Sequence, residues 1–428
     1  MKDERKQLKI WRAVAIVACC LLLVGGIVVA SGGGKAGESA AIEQGAGLEI
    51  EDKGDPGKAG APEEESDRED SEGNKETEVR EDENKPEGKE EEKTADSETK
   101  EELDPQVILS SWVESAASRQ ALVSYMEAIT DESSADYIPP EHRIAVFDLD
   151  GTLFCETDPG YFDHMLLYHR VMEDPDYKDK ASDNEKDVAA RIGEYFESGT
   201  YPKGMDMEHG KAVASAFEGM TVDDFLSYVR AYREEPAASY QGMTKGQAFY
   251  KPMLEVIDCL KANDFQVYII SGTDRLIVRG LLSEGGALDL PMSQIIGSDE
   301  TIIASHQGDA DGLDYVFTDE DELILGGDFI VKNLKMNKVS VIMQEIGEQP
   351  VLSFGNSSGD ASMAEYVTTD NPYKSMAFML CCDDTERENG NLKSAEKMQG
   401  LCQEFGWTPI SMKNDWSTIY GDGISRKK

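Results

Sequence analysis

The chain has 428 residues, and its 85 acidic residues outnumber the 42 basic ones, which leaves a net charge of −43. So strong a negative charge argues against binding of nucleic acid or of an anionic lipid surface by the body of the protein. The five histidines form no H-x-H or H-E-x-x-H pattern, and the seven cysteines include no C-x-x-C pair. Histidine-based metal chemistry, zinc-finger sites and a disulfide framework are therefore all disfavoured.

Residues 13–30 form an uncharged apolar run of 18 residues, preceded by a basic tail over residues 1–12. This length is near the minimum for a membrane-spanning helix, and the basic flank predicts that the tail stays in the cytosol. We therefore expect a single-pass protein of the cell membrane whose remaining chain is extracytoplasmic.

Two alternatives lead to the same side of the membrane. Cleavage of a signal peptide after Ala30 would give a secreted protein, because small residues precede Ser31. Lipidation at Cys19 also fits the local pattern, although only about six apolar residues precede it, which is short for a signal core. Export is common to all three interpretations.

Residues 31–105 differ in composition from the rest, with 27 acidic and 10 basic residues and no aromatic residue. Such a segment cannot bury enough apolar surface to offset the entropy lost on ordering, so we expect a disordered acidic linker. It would hold the folded part, residues 106–428, away from the membrane.

The folded part begins with apolar residues near helical spacing over 107–129, which predicts a long helix. A buried strand follows over 143–147 and leads directly into Asp148, Asp150 and Gly151. Residues i and i+2 of an extended chain point the same way, so a tight turn at the glycine brings both carboxylates into one crevice. Neighbouring carboxylates repel unless a cation lies between them, and oxygen ligands suit Mg²⁺.

A long segment separates this motif from the next predicted strand. It shows helical patterns without strand runs, and it is too long for an ordinary loop. We interpret residues from about 156 to 250 as an inserted helical cap over the site. Its helices are predicted at 161–173, 184–198, 209–217 and 223–233.

A second polar strand end follows the predicted helix 252–261 and strand 266–270. It reads S-G-T from Ser271 and Gly272, and helical spacing resumes over 274–283. Hydroxyl groups and free backbone N–H groups at a helix N-terminus form a cradle for phosphate. The three-residue pattern is a weak signal by itself.

The rest of the chain continues the alternation of strands and helices. Lys338 opens a predicted helix, and the strand after it ends in G-N-S-S-G-D, which contains Asn356 and Asp360. Cys155, Trp407 and Trp416 are assigned to packing. The predicted elements are a strand at 293–297, a hairpin at 314–327, a helix at 339–346, a strand at 351–354 and a last strand at 375–380.

Strand–helix alternation with polar residues at the strand ends predicts an α/β fold with a doubly wound, Rossmann-like parallel sheet. Ligands of such sheets bind outside the carboxyl ends of the strands. The four polar segments should therefore meet at one edge of the sheet.

The order D-L-D-G-T, S-G-T, lysine, G-N-S-S-G-D over about residues 140–375 resembles the four motifs of the haloacid dehalogenase (HAD) superfamily, in particular bacterial HAD-like hydrolases akin to phosphoserine phosphatase. The resemblance implies that Asp148 is the nucleophile and Asp150 the general acid and base. It implies phosphate binding by Ser271, Gly272 and Lys338. It also implies Mg²⁺ as the cofactor, with ligands from Asp148, Asp150, Asn356 and Asp360.

Two positions depart from the family pattern. Asn356 is a neutral ligand where the family often has aspartate, so Asp360 must supply the negative charge and Mg²⁺ binding is expected to be weaker. The third-motif lysine has two neighbours of the same type, Lys332 and Lys335. We favour Lys338, because it leads into the helix before the last motif.

These observations together predict a membrane-anchored, extracytoplasmic, Mg²⁺-dependent phosphatase that acts on a small phosphorylated metabolite. Two other functions stay open on the sequence. One is a phosphotransferase that passes the phosphoryl group to an alcohol, and the other is a catalytically silent surface-binding module of the same fold.

Overall fold

The computed structural model of the protein describes residues 108–427. The predictions for the basic tail at 1–12, the apolar segment at 13–30 and the acidic linker at 31–105 lie outside the described residues. Between residues 108 and 427, no helix is both long enough and apolar enough to cross a membrane.

A seven-stranded sheet forms the centre of the described chain, in the order β5-β4-β3-β1-β6-β7-β8. All neighbouring strands are parallel except β4 and β5, which pair antiparallel. The prediction of an α/β fold with a mostly parallel sheet is therefore confirmed. The strands are β1 Ile144–Phe147, β3 Gln266–Asp274, β4 Ile295–Ala304, β5 Leu323–Val331, β6 Leu352–Gly355, β7 Met376–Cys381 and β8 Thr408–Ser411, and a separate two-stranded sheet joins β2 Tyr240–Gln241 to β9 Ser425–Arg426.

Strand β1 lies in the middle of the sheet, between β3 and β6, and all four of its residues are buried. A short, wholly apolar run of this kind is typical of a strand covered on both faces. On one face three aromatic rings stack across neighbouring strands, with 4.3 Å between the ring centroids of Phe147 and Phe354 and 5.0 Å between those of Phe354 and Phe378. The central strand is therefore a rigid support for the residues that follow it.

Helices occupy the connections between the strands. Five of them lie between β1 and β3, where the sequence predicted helices, and the grouping of the first four as a separate cap stays a prediction. The helices are α1 Ala117–Thr130, α2 Phe162–Tyr168, α3 Asp183–Ser198, α4 Met205–Ala216, α5 Val222–Arg233, α6 Lys251–Ala262, α7 Arg275–Leu282, α8 Met336–Val341, α9 Ala361–Thr368, α10 Leu392–Phe405 and α11 Met412–Asp415, with π-helical turns at His169–Glu173 and Ile342–Ile346 that continue α2 and α8.

Five of these helices begin at side-chain caps, and α3 and α5 are two examples. Ser182 precedes α3 and forms a capping box with Glu185, in which each side chain binds the backbone N–H of the other residue. Thr221 precedes α5 and accepts a hydrogen bond from the backbone N–H of Asp224 at 3.0 Å. Caps of this kind satisfy N–H groups that the first helical turn leaves unpaired.

The first helix is shorter than predicted. It begins at Ala117 rather than at residue 107, because the chain before it binds elsewhere. Ser110 and Ser111 hydrogen-bond to the carboxylate of Glu255 on α6, and the Trp112 ring meets the Trp416 ring edge-on at 5.9 Å. These tertiary contacts outweigh the helical spacing of the apolar residues.

Three other predictions about elements were wrong in detail. The S-G-T segment and Asp274 belong to strand β3, so the helix after them begins only at Arg275, and the predicted cradle at a helix N-terminus is not formed by Ser271. The predicted hairpin at 314–327 is instead made by β4 and β5, with residues 305–322 as the connection. The strand near residue 380 is not the last, because β8 follows it. Trp407 and Trp416 are buried, as predicted for packing residues.

Candidate active site

Asp148 and Asp150 lie just beyond the carboxyl end of β1 and are largely buried, with 7% and 8% of their surface exposed. The backbone N–H of Asp148 still bonds to the carbonyl of Phe354 on β6 at 2.9 Å, after which the chain turns sharply. Gly151 has a φ of +74° in this turn, and a β-carbon there would lie 1.8 Å from Nδ2 of Asn356. Only glycine fits this position without displacing the last motif.

Lys338 joins the first motif to the last. Its ammonium group donates to Oδ1 of Asp148 at 2.5 Å and to Oδ1 of Asp360 at 2.7 Å, and the side chain has no exposed surface. It is the third residue of α8 rather than its first. Of the two neighbouring lysines, Lys335 is exposed and Lys332 is half-buried.

Asp360 also organises the loop of the last motif. Its second oxygen, Oδ2, accepts hydrogen bonds from the backbone N–H groups of Asn356 and Ser357, at 3.1 and 3.0 Å, and from the Ser357 hydroxyl at 3.2 Å. With Lys338 on its other oxygen, the carboxylate is saturated by partners within the protein. Its geometry is that of a residue that positions Lys338 and Asn356.

The S-G-T segment approaches Asp150 from β3. The Thr273 hydroxyl donates to Oδ2 of Asp150 at 2.7 Å. The hydroxyl of Ser271, which has no exposed surface, accepts from the backbone N–H of Thr273 at 3.0 Å. Buried Asn333 supports the segment by donating to the Ser271 carbonyl at 3.0 Å, and a β-carbon on Gly272 would lie 2.7 Å from Cδ2 of Leu334.

The ionisable side chains of this group are strongly buried, and burial shifts their pKa values. Burial and then the Asp360 carboxylate raise the pKa of Asp148 to about 7, against the opposing effect of Lys338. Burial and the carboxylates of Asp163 and Asp148 raise the pKa of Asp150 well above its usual range, which favours its protonated form. Burial alone would lower the pKa of Lys338, but Asp148 and Asp360 outweigh it, and the lysine stays charged.

Sequence reasoning missed Glu156, which joins the group from the loop after β1. Nδ2 of Asn356 donates to its Oε1 at 3.2 Å, and a β-carbon on Gly151 would lie 2.6 Å from its Cδ. Burial and the Asp148 carboxylate raise the pKa of Glu156 to about 8. No local pattern marked this residue, because its place depends on the fold of the loop. Thr273 and Asn333 were likewise placed by tertiary contacts.

The oxygen donors fit a hard divalent cation. Asp148, Asn356 and Glu156 gather carboxylate and amide oxygens, which are the ligands that Mg²⁺ prefers. Oδ1 of Asp150 is buried and has no hydrogen-bond partner within residues 108–427. Burial is the largest cause of the raised pKa values of Asp148 and Glu156, and neighbouring carboxylates add to it. A cation among these oxygens would offset both effects.

A second group of ligating side chains lies on the helices after β1. Donor atoms of Asp163, His164 and His209 lie within 4.8 Å of one another, and all three residues are buried. This set has two imidazoles and one carboxylate, which suits transition metals better than Mg²⁺. The Mg²⁺ ligands implied by the sequence belong to the first group.

Cys155 was expected to be a packing residue, and it is buried beside the site. Its thiol lies 3.8 Å from Oε1 of Glu388, and burial followed by that carboxylate raises the pKa of the thiol well above its usual range. A protonated buried thiol is a weak nucleophile, so the geometry supports a packing role.

Comparisons with known proteins agree with this arrangement. The sequence model of a family described as haloacid dehalogenase-like hydrolase matches residues 145–365, more than half of the chain. Comparison with curated protein sequences found no match.

Solved structures with a similar fold are distant from this chain. A functionally unknown protein from Anaerococcus prevotii is 14% identical over 68% of this chain and 91% of its own, with a TM-score of 0.42. Cytosolic 5'-nucleotidase IIIB bound to cytidine is 13% identical over 69% and 85%, with a TM-score of 0.41. A phosphoserine phosphohydrolase-like protein from Francisella tularensis is 12% identical over 64% and 95%, with a TM-score of 0.34. Likenesses of this size carry no argument about substrate.

Proposed function

The chain belongs to the haloacid dehalogenase-like hydrolase family, and from that membership we propose that it is a Mg²⁺-dependent phosphatase of small phosphomonoesters. One observation carries the proposal. Lys338 binds Asp148 and Asp360 at once, and Thr273 of the second motif binds Asp150 beside them, so all four sequence motifs meet at one end of the sheet. A convergence of this kind matches what phosphoryl transfer requires, namely a nucleophile, a proton donor and positive charge in one place.

The carboxylate of Asp148 is the nucleophile in this proposal. One of its oxygens forms a bond to phosphorus while the bond from phosphorus to the substrate alcohol breaks, which leaves an aspartyl-phosphate. Lys338 orients Asp148 and offsets the charge of the phosphoryl oxygens, and phosphate binding by Ser271 and Gly272 stays part of the proposal.

Asp150 transfers the proton in both halves of the reaction. Its raised pKa favours the protonated form, which can give its proton to the leaving alkoxide. The resulting carboxylate then takes a proton from water, whose oxygen attacks phosphorus and releases phosphate and free Asp148. Thr273 holds the Asp150 side chain in place through Oδ2.

Asp148, the backbone carbonyl of Asp150 and Asn356 would hold Mg²⁺, with Asp360 positioning the loop and Glu156 beside it. Bound there, the ion supplies positive charge that stabilises the phosphoryl group during transfer. Asn356 in place of an aspartate makes the site less negative, which favours weaker binding of the metal.

We also propose that the enzyme is anchored in the cell membrane by residues 13–30 and acts outside the cytosol. This part of the proposal rests on the apolar run and its basic flank. Cell fractionation and protease treatment of intact cells would test it. Protease should digest residues 106–428 of an extracytoplasmic enzyme in intact cells. A cytosolic enzyme would resist the protease until the cells are lysed and would then appear in the soluble fraction.

The activity is tested by release of phosphate from p-nitrophenyl phosphate, with MgCl₂ or with EDTA. Turnover should require the metal and should fall by at least about 10³-fold in Asp148→Asn, because the nucleophile is lost. Turnover that survives in the variant would contradict the mechanism. Absence of turnover with every phosphomonoester would favour the surface-binding module, and transfer to added glycerol would reveal a phosphotransferase.

A further inference from the structure

A cavity of about 570 Å³ opens beside the catalytic group. Two of its lining residues, Glu156 and Asn356, are the residues that lie against Gly151 and Asp148. The volume is within the range of small-molecule sites, about 300–1,000 Å³. A phosphomonoester with its phosphorus at Asp148 would therefore extend its alcohol portion into this cavity.

Four aromatic side chains line one side of the cavity: Tyr161, Tyr195, Phe196 and Tyr201. Their rings contact one another, with centroids 5.4 Å apart for Tyr195 and Tyr201 and 6.2 Å apart for Tyr161 and Tyr201. All four are only partly buried, although rings of this size usually pack into a core. A cluster of half-exposed rings around a cavity is a surface suited to another planar ring.

Other residues hold this aromatic wall in place. The Tyr201 hydroxyl donates to Oδ1 of Asp206 at 2.7 Å. Gly160 makes room for Phe196, since a β-carbon there would lie 2.6 Å from the edge of its ring. The Tyr168 ring meets the Phe196 ring edge-on at 6.0 Å. The wall is therefore a fixed feature of the loop and helix that form it.

Among the described residues, the lining of the cavity includes an acidic residue but no basic residue. No lysine, arginine or histidine of the described chain lines it, and its single ionisable carboxylate is Glu156. The other polar contributors are neutral, such as Asn389, Asn391 and Ser239. A substrate with a carboxylate or a second phosphate on its alcohol portion would place an anion there without a countercharge.

We propose that this cavity binds the alcohol portion of the substrate, and that this portion carries an uncharged aromatic or heteroaromatic ring. The inference rests on the proposed function, which places the phosphate at Asp148. The ring stacks on the aromatic wall, and the neutral amides and hydroxyls opposite bind its polar atoms. The same charge argument disfavours sugar bisphosphates, whose alcohol portion carries a second phosphate.

Non-hydrolysable phosphonates test the inference without depending on turnover. Binding of benzylphosphonate, cyclohexylmethylphosphonate and 3-phosphonopropionate to the full chain with MgCl₂ is measured by calorimetry. The first should bind about tenfold more tightly than the second, from ring stacking. It should bind about 100-fold more tightly than the third, from the missing countercharge.

Two variants test whether the aromatic wall causes the preference for the benzyl compound. Tyr195→Leu should remove most of the preference for the benzyl over the cyclohexyl compound. Tyr373→Leu is the matched control, since Tyr373 is also half-buried but does not line the cavity, and it should keep the preference. Hydrolysis of the corresponding phosphate esters is measured alongside.

The outcomes separate the two proposals. Equal or tighter binding of the charged or cyclohexyl compound, an unchanged preference in Tyr195→Leu, or no phosphonate binding would overturn the inference about the ring. A clear preference for the benzyl compound without hydrolysis of any ester would keep the binding site and overturn the phosphatase proposal.

Discussion

Two groups of buried ionisable side chains lie close together in this protein, the catalytic group and a second group that contains His209 and Glu300, and their polar atoms are paired to different extents. In the catalytic group, Lys338 stays charged between Asp148 and Asp360, and hydrogen bonds hold both acids. In the neighbouring group, both ring nitrogens of His209 and both carboxylate oxygens of Glu300 lack a hydrogen-bond partner within residues 108–427.

Two members of the second group, His209 and Glu300, give up their charge. Burial, followed by Asp274 and Asp299, raises the pKa of Glu300 to about 9, which keeps its carboxyl group neutral at pH 7. Burial and His164 lower the pKa of His209 to about 3, so the imidazole is neutral as well. Buried charge is kept where a cation or hydrogen bonds compensate for lost water, and it is given up where they do not. Lys338, which two carboxylates bind, is the clearest case of retained charge.

The largest expected effect comes from Asp150→Asn, which removes the proton donor. The rate of phosphate release should fall about 10²–10⁴-fold, the usual contribution of general acid–base catalysis. Glu300→Gln serves as the control from the second group and should keep the rate within about threefold of wild type. A comparable loss in both variants would erase the distinction between the two groups.

Lys338→Met tests whether the catalytic group depends on its internal cation. Without the ammonium, two buried carboxylates face each other unpaired, which should lower the free energy of unfolding by about 3–5 kcal/mol. Lys335→Met replaces an exposed lysine three residues earlier. This control variant should change the free energy of unfolding by no more than about 0.5 kcal/mol. Urea denaturation of both variants measures the difference. Equal stabilities would mean that Lys338 is dispensable for charge balance.

Glu300→Gln should change how stability depends on pH. The folded-state pKa of about 9 lies above the ordinary 4.5, so the folded state holds a proton that the unfolded state releases. Because unfolding releases this proton, a rise in pH from 4.5 towards 9 favours the unfolded state and the wild type loses stability. Relative to wild type, the variant should be about 4 kcal/mol more stable at pH 8 than at pH 5. Thermal melts at the two pH values give the comparison, and parallel pH profiles would count against it.

Asn356→Asp adds a negative charge to the catalytic group. Since a carboxylate is a stronger ligand for Mg²⁺ than an amide oxygen, the dissociation constant for Mg²⁺ should fall by about tenfold. Calorimetric titration measures this without any substrate. Weaker or unchanged binding would place the metal away from Asn356.

The amino-acid sequence by itself determined the central strands and the identity of the first motif. A short, wholly apolar run such as β1 is typical of a strand buried on both faces. The two acids and the glycine that follow it are typical of a turn. The positions of Asp148, Asp150 and Asp360 at strand ends follow from that local pattern. The strand end at S-G-T was also expected, but not the extension of β3 to Asp274, because pairing with β4 keeps the chain extended there.

Only the tertiary structure decided which groups meet. Lys338 reaches Asp148 across 190 residues of chain, and Glu156 reaches Asn356 across 200. No spacing rule covers such distances, because they depend on how the whole sheet folds. The aromatic wall of the cavity and the neutral state of Glu300 have the same origin, since stacking and burial are properties of neighbours in space. Local pattern thus determined the chemistry available, and packing determined the charges and the shape that select a substrate.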